Sequence, residues 1–295
     1  GKEMAMKQDV VVVGTDGSDQ SFRAVEWAAS EAVLRGATLR IVSVPMLLPR
    51  MPWRKGPQGT PETVADMIIK SHEHALAWAS GRAAELEPGL AVETALLPGS
   101  PASALTEAAD NASMLVVGSR GGGGFAALLL GSVSRYVATR AESPVVVVRE
   151  ETMAVHREVV VGVRDLDQPA AIGFAFQEAA LRKARLRAVH AWQWFLPEMR
   201  LTGTERPGAA AEEVAPDVSE WLTEVLSFWR EKYPEVDVIG DAVHASPARV
   251  LAASSARADL IVLGRNSGDD SRAGADPVIH AVLNHAHGPV AIVPE

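Results

Sequence analysis

The sequence predicts an α/β protein built as two tandem open parallel-sheet domains with helices on both faces. Three observations carry this. Short continuous runs of Val, Ile and Leu alternate with stretches of helical periodicity, as in buried parallel strands joined by helices. The whole pattern recurs after about 147 residues. Polar, glycine-containing turns follow the apolar runs, at the strand ends where open parallel sheets hold ligands.

In the first copy the elements run as strand (Val10–Val13), helix (about Ser21–Arg35), strand (Leu39–Val44), loop and helix (about Pro61–Leu86). Strand (Val92–Leu97), helix (about Ala102–Ala109), strand (Leu115–Val117), loop, helix (Ser132–Arg140) and strand (Val145–Val148) follow. The runs Val10–Val13, Leu115–Val117 and Val145–Val148 are short and continuous, the mark of strands covered on both faces. Thr60-Pro61 reads as an N-cap followed by Pro at the first helical position. Pro45–Thr60, with four prolines and Arg50, Arg54 and Lys55, is too long for an ordinary connection. It reads either as a lid over a ligand or as a loose insertion. Phe195–Pro207 is its counterpart in the second copy.

The second copy repeats Val10-Val11-Val12-Val13-Gly14 as Val159-Val160-Val161-Gly162, and Ser100-Pro101-Ala102 as Ser246-Pro247-Ala248. Leu115-Val116-Val117-Gly118 returns as Ile261-Val262-Leu263-Gly264, and Pro144–Val148 as Pro289–Val293. Solenoid repeats are far shorter, so this is a duplicated domain. The polar stretch Glu150–His156 sets the boundary, giving domains 1–150 and 151–295. Val218, Trp221, Leu222, Val225, Leu226 and Trp229 fall on one helix face and read as core packing.

Of 295 residues, 47% are hydrophobic and 22% charged, the balance of a globular protein. No apolar run reaches the roughly 18 residues of a membrane span. Gly1–Gln8 has Lys2 and Lys7 but no apolar core, so it reads as a tail, not a signal peptide. Cysteine is absent, which excludes disulfides, thiolate metal sites and thiol nucleophiles and leads to a cytoplasmic expectation. Net charge is −9, with 14 basic and 16 acidic residues to Glu150 and 14 and 21 thereafter. That balance argues against nucleic acid or an anionic membrane as a partner.

The chemistry concentrates after the first and fourth strands. Gly118-Ser119-Arg120-Gly121 is followed, nine residues on, by Gly131-Ser132-Val133-Ser134 at a helix start. Glycines let a backbone approach phosphate, and the first helical N–H groups bind it. Thr15-Asp16-Gly17-Ser18 follows the first strand. If the two strands are neighbours, both clusters line one crevice. Asp16 can then accept from a ribose hydroxyl or a base amino group, and Arg120 can reach a phosphate. Gly121 allows close approach, and Ser132 and Ser134 offer hydroxyls and backbone N–H groups. Neither a P-loop nor a dinucleotide-binding glycine fingerprint is present.

These motifs, Val13-Gly14-Thr15-Asp16-Gly17-Ser18 and Gly118-x2-Gly121-x9-Gly131-Ser132 with Ser134 beyond, resemble those of tandem universal stress proteins. The resemblance spans both copies and points to the ATP-binding branch of that family. It implies a five-stranded parallel sheet in each domain, of the adenine nucleotide alpha hydrolase-like kind. It implies ATP as ligand, with Mg2+ as a companion ion that only Asp16 can help hold. Gly14, Thr15, Asp16 and Val44 would face adenine and ribose. Gly118, Arg120, Gly121, Gly131, Ser132, Val133 and Ser134 would hold ribose and phosphates. Pairing through the last strands, Val145–Val148 with Val290–Val293, is also implied, as is homodimerisation.

The second copy departs from the motif. Ser267 stands in place of Gly121, and Asp276-Pro277 in place of Gly131-Ser132. Arg164-Asp165 replaces Asp16-Gly17. Proline lacks an N–H donor, and Asp269, Asp270 and Asp276 bring negative charge toward any phosphate. This copy is therefore expected not to bind ATP and to act as a structural or regulatory partner. Two weaker readings are an anion site on Arg164 and Arg265 and a metal site on the three aspartates.

The histidines point to no catalyst. His72 and His74 face different ways on a helix, and His280, His285 and His287 read as surface cations near a helix end. No residue stands out as a water-activating base. The expected function is an ATP-binding stress-response or signalling protein with an unidentified protein partner. A weak ATPase and a nucleotide-free scaffold are the alternatives.

Overall fold

In the computed structural model the chain forms two compact units, Gly1–Glu150 and Glu151–Glu295. The structure describes residues 9–46, 64–120, 130–149, 155–164, 168–192, 209–266 and 276–295. The Thr60-Pro61 cap, both long loops beyond Met46 and Trp192, and Asp165 lie outside the described residues. So do Gly121–Gly124 and Ser267–Asp270.

The first unit runs β1 (Val10–Gly14), α1 (Asp19–Arg35), β2 (Thr38–Ser43), α2 (Val64–Leu86), β3 (Val92–Leu96), α3 (Pro101–Ala109), β4 (Met114–Gly118), α4 (Ser132–Arg140) and β5 (Val145–Val148). The strands pair in parallel in the order β3-β2-β1-β4-β5. Val11, Val12 and Val13 are fully buried, so each contributes on the order of 1.5–3 kcal/mol. Right-handed crossovers from β1 through β2 to β3 put α1 and α2, which touch each other, on one face. The return to β4 and β5 puts α3 and α4 on the other.

The helix α1 begins at Ser18, whose Oγ accepts from the Ser21 N–H, and ends at Gly36 in the left-handed region (φ 62°). Its inner face is Ala24, Val25, Ala28, Ala29 and Ala32, small enough to seat the helix close on the sheet. Glu31 is buried on the same helix and paired with Arg35 at 2.5 Å.

The second unit runs β6 (Glu158–Gly162), α5 (Pro169–Arg182), β7 (Arg185–Trp192), α6 (Ala209–Lys232), β8 (Val238–His244), α7 (Pro247–Ser254), β9 (Leu260–Arg265), α8 (Pro277–His285) and β10 (Val290–Pro294). Its parallel order is β10-β9-β6-β7-β8, the same topology. The buried ion pair recurs as Glu178 with Arg182. On α6, Leu222 and Leu226 are buried while Trp221 and Trp229 are half-buried. Trp229 stacks on Phe176, ring centres 6.1 Å apart, and fills the space above Gly173, where a Cβ would lie 2.3 Å from the ring. Among the described residues no helix is long and apolar enough to cross a membrane.

Candidate functional site

The order β2-β1-β4 places the topological switch between β1 and β4, whose Val13 and Val116 are paired. A crevice therefore opens beyond the C-terminal ends of these strands. It holds a cavity of about 440 Å³, the size of an ordinary small-molecule site. Gly14, Thr15, Asp16, Val44, Gly118, Arg120, Gly131, Ser132, Val133 and Ser134 all line it. The remaining expected residue, Gly121, lies outside the described residues.

The turn after β1 is pinned from several sides. Thr15 N donates to Val42 O (2.8 Å), and Thr15 O accepts from Ser43 Oγ (2.6 Å). Asp16 Oδ1 accepts from both the N–H and the Oγ of Ser18, at 3.0 and 2.6 Å. Gly17 sits at φ 81°, a conformation that favours glycine. Asp16 is thus held, exposed, at the cavity rim.

Two hydroxyls beside the cavity turn inward, and for Ser134 this departs from the expected role. Thr15 Oγ1 is buried against Ser21 Oγ (2.9 Å) and accepts from Gly17 N (3.3 Å), so it braces the turn. Ser134 Oγ donates to Gly118 O (2.7 Å) inside the fold and is not a hydroxyl aimed at a phosphate. Both are buried polar groups, and burial obliges them to bond within the protein.

Across from Asp16, Gly131 N donates to Ser119 O (2.8 Å), which ties the start of α4 to the end of β4. Among the described residues no side chain caps this helix. Ser132, Val133 and Ser134 line the cavity together with Arg120, and as first-turn residues of α4 their N–H groups have no intrahelical partner. A helix terminus of this kind suits an anion in its donors and its dipole. A Cβ on Gly131 would meet its nearest neighbours at 3.4 Å, an ordinary contact. A Cβ on Gly118 would lie 2.9 Å from Gln20 O, so that glycine serves helix packing as well.

The rest of the lining is largely apolar: Val42, Val44 and Met46 at the end of β2, with Pro101 and Leu105 of α3. The sequence reading missed Ser21, Val42, Met46, His72, Pro101, Leu105 and Val117. Pro101 sits in the repeated Ser-Pro-Ala motif, and Val42 and Val117 sit on strands already recognised, so a signal existed for these three. His72 had none. It reaches the cavity from α2, and its Nδ1 lies 2.7 Å from Ser43 Oγ. Burial lowers its pKa below the ordinary imidazole value, against the pull of Asp16.

The same positions in the second unit are self-satisfied. Asp276, at the place of Gly131, caps α8: its Oδ1 accepts from Val278 N (2.8 Å) and Ile279 N (3.4 Å). Pro277 supplies no N–H. The Arg164 guanidinium, at the place of Asp16, pairs with the other oxygen of Asp276 and reaches Gly264 O at 3.5 Å. Asp276 therefore presents a compensated charge, and its effect is to occupy the helix donors more than to repel. Glu295 accepts from Ala170 N and Ala171 N at the start of α5 (2.9 and 3.0 Å). His190, at the place of Ser43, meets Val163 O through Nδ1 (2.8 Å) and packs on Trp221. Among the described residues no three His, Asp or Glu side chains gather as metal ligands, and Asp269 and Asp270 lie outside them.

Comparison with known proteins gives a consistent result. A universal stress protein of Mycobacterium tuberculosis is 33% identical over 301 residues, covering 97% of this chain and 97% of its own. One of Mycolicibacterium smegmatis is 34% identical over 263 residues, 86% of each chain. The crystal structure of a universal stress protein from Archaeoglobus fulgidus covers 98% of this chain and 97% of its own, with a TM-score of 0.69 at 19% identity. A half-length universal stress protein solved in complex with cAMP covers 48% of this chain at 33% identity, with a TM-score of 0.37. The model of the universal stress protein family matches twice, over residues 8–149 and 156–294. With two tandem copies matched across nearly its whole length, the chain belongs to the universal stress protein family.

Proposed function

We propose that the first domain binds an adenine nucleotide, ATP in the first instance, and that the protein acts as a nucleotide-responsive regulator in a stress response. The observation that carries this is the N-terminus of α4, without a side-chain cap among the described residues, lining one cavity of about 440 Å³ together with Asp16 and apolar side chains. Helix N–H groups and Arg120 suit phosphates, Asp16 suits a ribose hydroxyl, and Val42, Val44 and Met46 suit a base. Asp16 is the sole carboxylate among the described lining residues, so a Mg2+ companion would be held chiefly by the phosphates. The second domain, with its helix donors taken by Asp276, serves as a structural or regulatory partner without nucleotide. A cytoplasmic location, a homodimer and an unidentified protein partner belong to the same proposal.

Calorimetric titration of the full chain tests it. One ATP per chain is expected, with affinity reduced about tenfold in Gly131→Ala, whose added methyl fits the folded protein but crowds an approaching phosphate. Two equivalent ATP molecules per chain, or unchanged affinity in that variant, would refute the assignment.

A further inference from the structure

We infer that His72 reads the edge of the base, accepting a hydrogen bond at Nε2 from a 6-amino group and so favouring adenine over 6-oxo purines. This rests on the nucleotide reading above and extends it to a residue of α2.

The inference follows from one short chain of hydrogen bonds. Ser43 is fully buried, and its Oγ lies 2.6 Å from Thr15 O and 2.7 Å from His72 Nδ1. A carbonyl oxygen only accepts, so the single hydroxyl hydrogen of Ser43 goes to Thr15 O. Nδ1 must then carry the ring proton and donate it to Ser43 Oγ. A neutral ring with its proton on Nδ1 leaves Nε2 as an acceptor with no donor character. Burial favours that neutral ring, since it lowers the His72 pKa more than Asp16 raises it. Asp16, in the turn after β1, is the charged group acting on the ring, and β2 faces it with the neutral Ser43.

Position selects the base as the thing read. His72 lines the cavity with Val42, Val44 and Met46, at the β2 end. The helix donors of α4 and Arg120 follow β4, two strands away, or about 10 Å. A nucleotide with its phosphates at α4 therefore lays its base at β2. An exocyclic amino group satisfies Nε2 there, whereas an exocyclic oxygen sets two acceptors against each other. A site built to pair with a donor rejects a ligand lacking it, because the acceptor, shielded by the bound base, is left unsatisfied.

The test is calorimetric titration of the full chain with ATP and with inosine triphosphate, its 6-oxo analogue, at pH 7.5 and over a descending pH series. The intact protein is expected to prefer ATP about tenfold or more at pH 7.5. Acidification through the lowered pKa of His72 protonates Nε2 and removes the acceptor, so the preference shrinks there. His72→Phe keeps the bulk and lacks the acceptor; it should bind both nucleotides about equally and lose the pH dependence of the preference. Ser43→Ala removes the group that holds the ring proton on Nδ1 and should weaken the preference with His72 still in place, which decides the matter if His72→Phe does not fold. Equal affinities in the intact protein, or a preference that survives His72→Phe, would overturn this inference and leave the nucleotide reading standing. Binding of neither nucleotide would overturn both.

Discussion

Replacing Asp276 by Ala exposes how the second domain keeps its own helix end. Two bonds to Val278 N and Ile279 N disappear, and Arg164 loses its carboxylate partner. Loss of an N-cap side chain costs about 1 kcal/mol, within a range of about 0.5–2. The ion pair adds less than about 1 kcal/mol, since the Arg164 and Asp276 side chains are 47% and 20% exposed and solvent screens them. The helix start should therefore weaken by about 1–2 kcal/mol. At about 1.4 kcal/mol per factor of ten, that corresponds to about a 5- to 30-fold rise in local opening. The assay is amide hydrogen exchange of Val278 and Ile279 in the full chain, because it reads this helix end without interference from the first domain. Phosphate binding to the vacated terminus would slow the exchange again as its concentration rises, by mass action. Unchanged exchange at both amides in Asp276→Ala would refute the argument that this carboxylate occupies the site.

Two further outcomes follow from the first domain. Gly118→Ala sets a methyl carbon 2.9 Å from Gln20 O and 3.0 Å from Gln20 C, both backbone atoms of α1. The helix must shift, at about 1–3 kcal/mol, so the melting temperature should fall; an unshifted melting curve would contradict the packing. The pKa of His72 is lowered in the fold by burial, so between its folded value and the unfolded 6.5 the unfolded chain binds the extra proton. Stability from this group is therefore fully present above pH 6.5 and declines as pH falls below it. The difference in melting temperature between the intact protein and His72→Phe should shift in favour of the variant on acidification from pH 7.5 to 5.5; a pH-independent difference would contradict the burial argument.

Much of this molecule is readable from its residue order, for identifiable reasons. The runs Val10–Val13 and Val145–Val148 are strands because only strands covered on both faces need continuous Val. The helix after Gly131 spans Ser132–Arg140, as its pattern predicts. Glycine spacing and the Asp after the first strand picked out residues that the fold gathers at one cavity, since strand ends beside a switch point must converge. Side-chain roles were less legible. Ser134 looks like a hydroxyl donor to phosphate in the sequence, but burial turns its Oγ inward to Gly118, as it turns that of Thr15 to Ser21. His72 was passed over because helical periodicity says which residues share a face and not which strand end that face meets. Its partner Ser43 is 29 residues away, across a loop that local pattern cannot span.

The sequence by itself determined the duplication, the alternation of buried strands with helices, and the family, because these rest on periodicity and local motif. It also marked the two copies as unequal, through Asp276-Pro277 in place of Gly131-Ser132. Tertiary structure alone decided what that inequality means. The start of α4 lines a cavity with no side-chain cap among the described residues, whereas Asp276 takes up the first N–H groups of α8 and is itself held by Arg164, 112 residues earlier in the chain. Hydrogen bonds are short and directional, so which donors are already taken depends on atoms within about 3 Å, a proximity that only the folded chain creates.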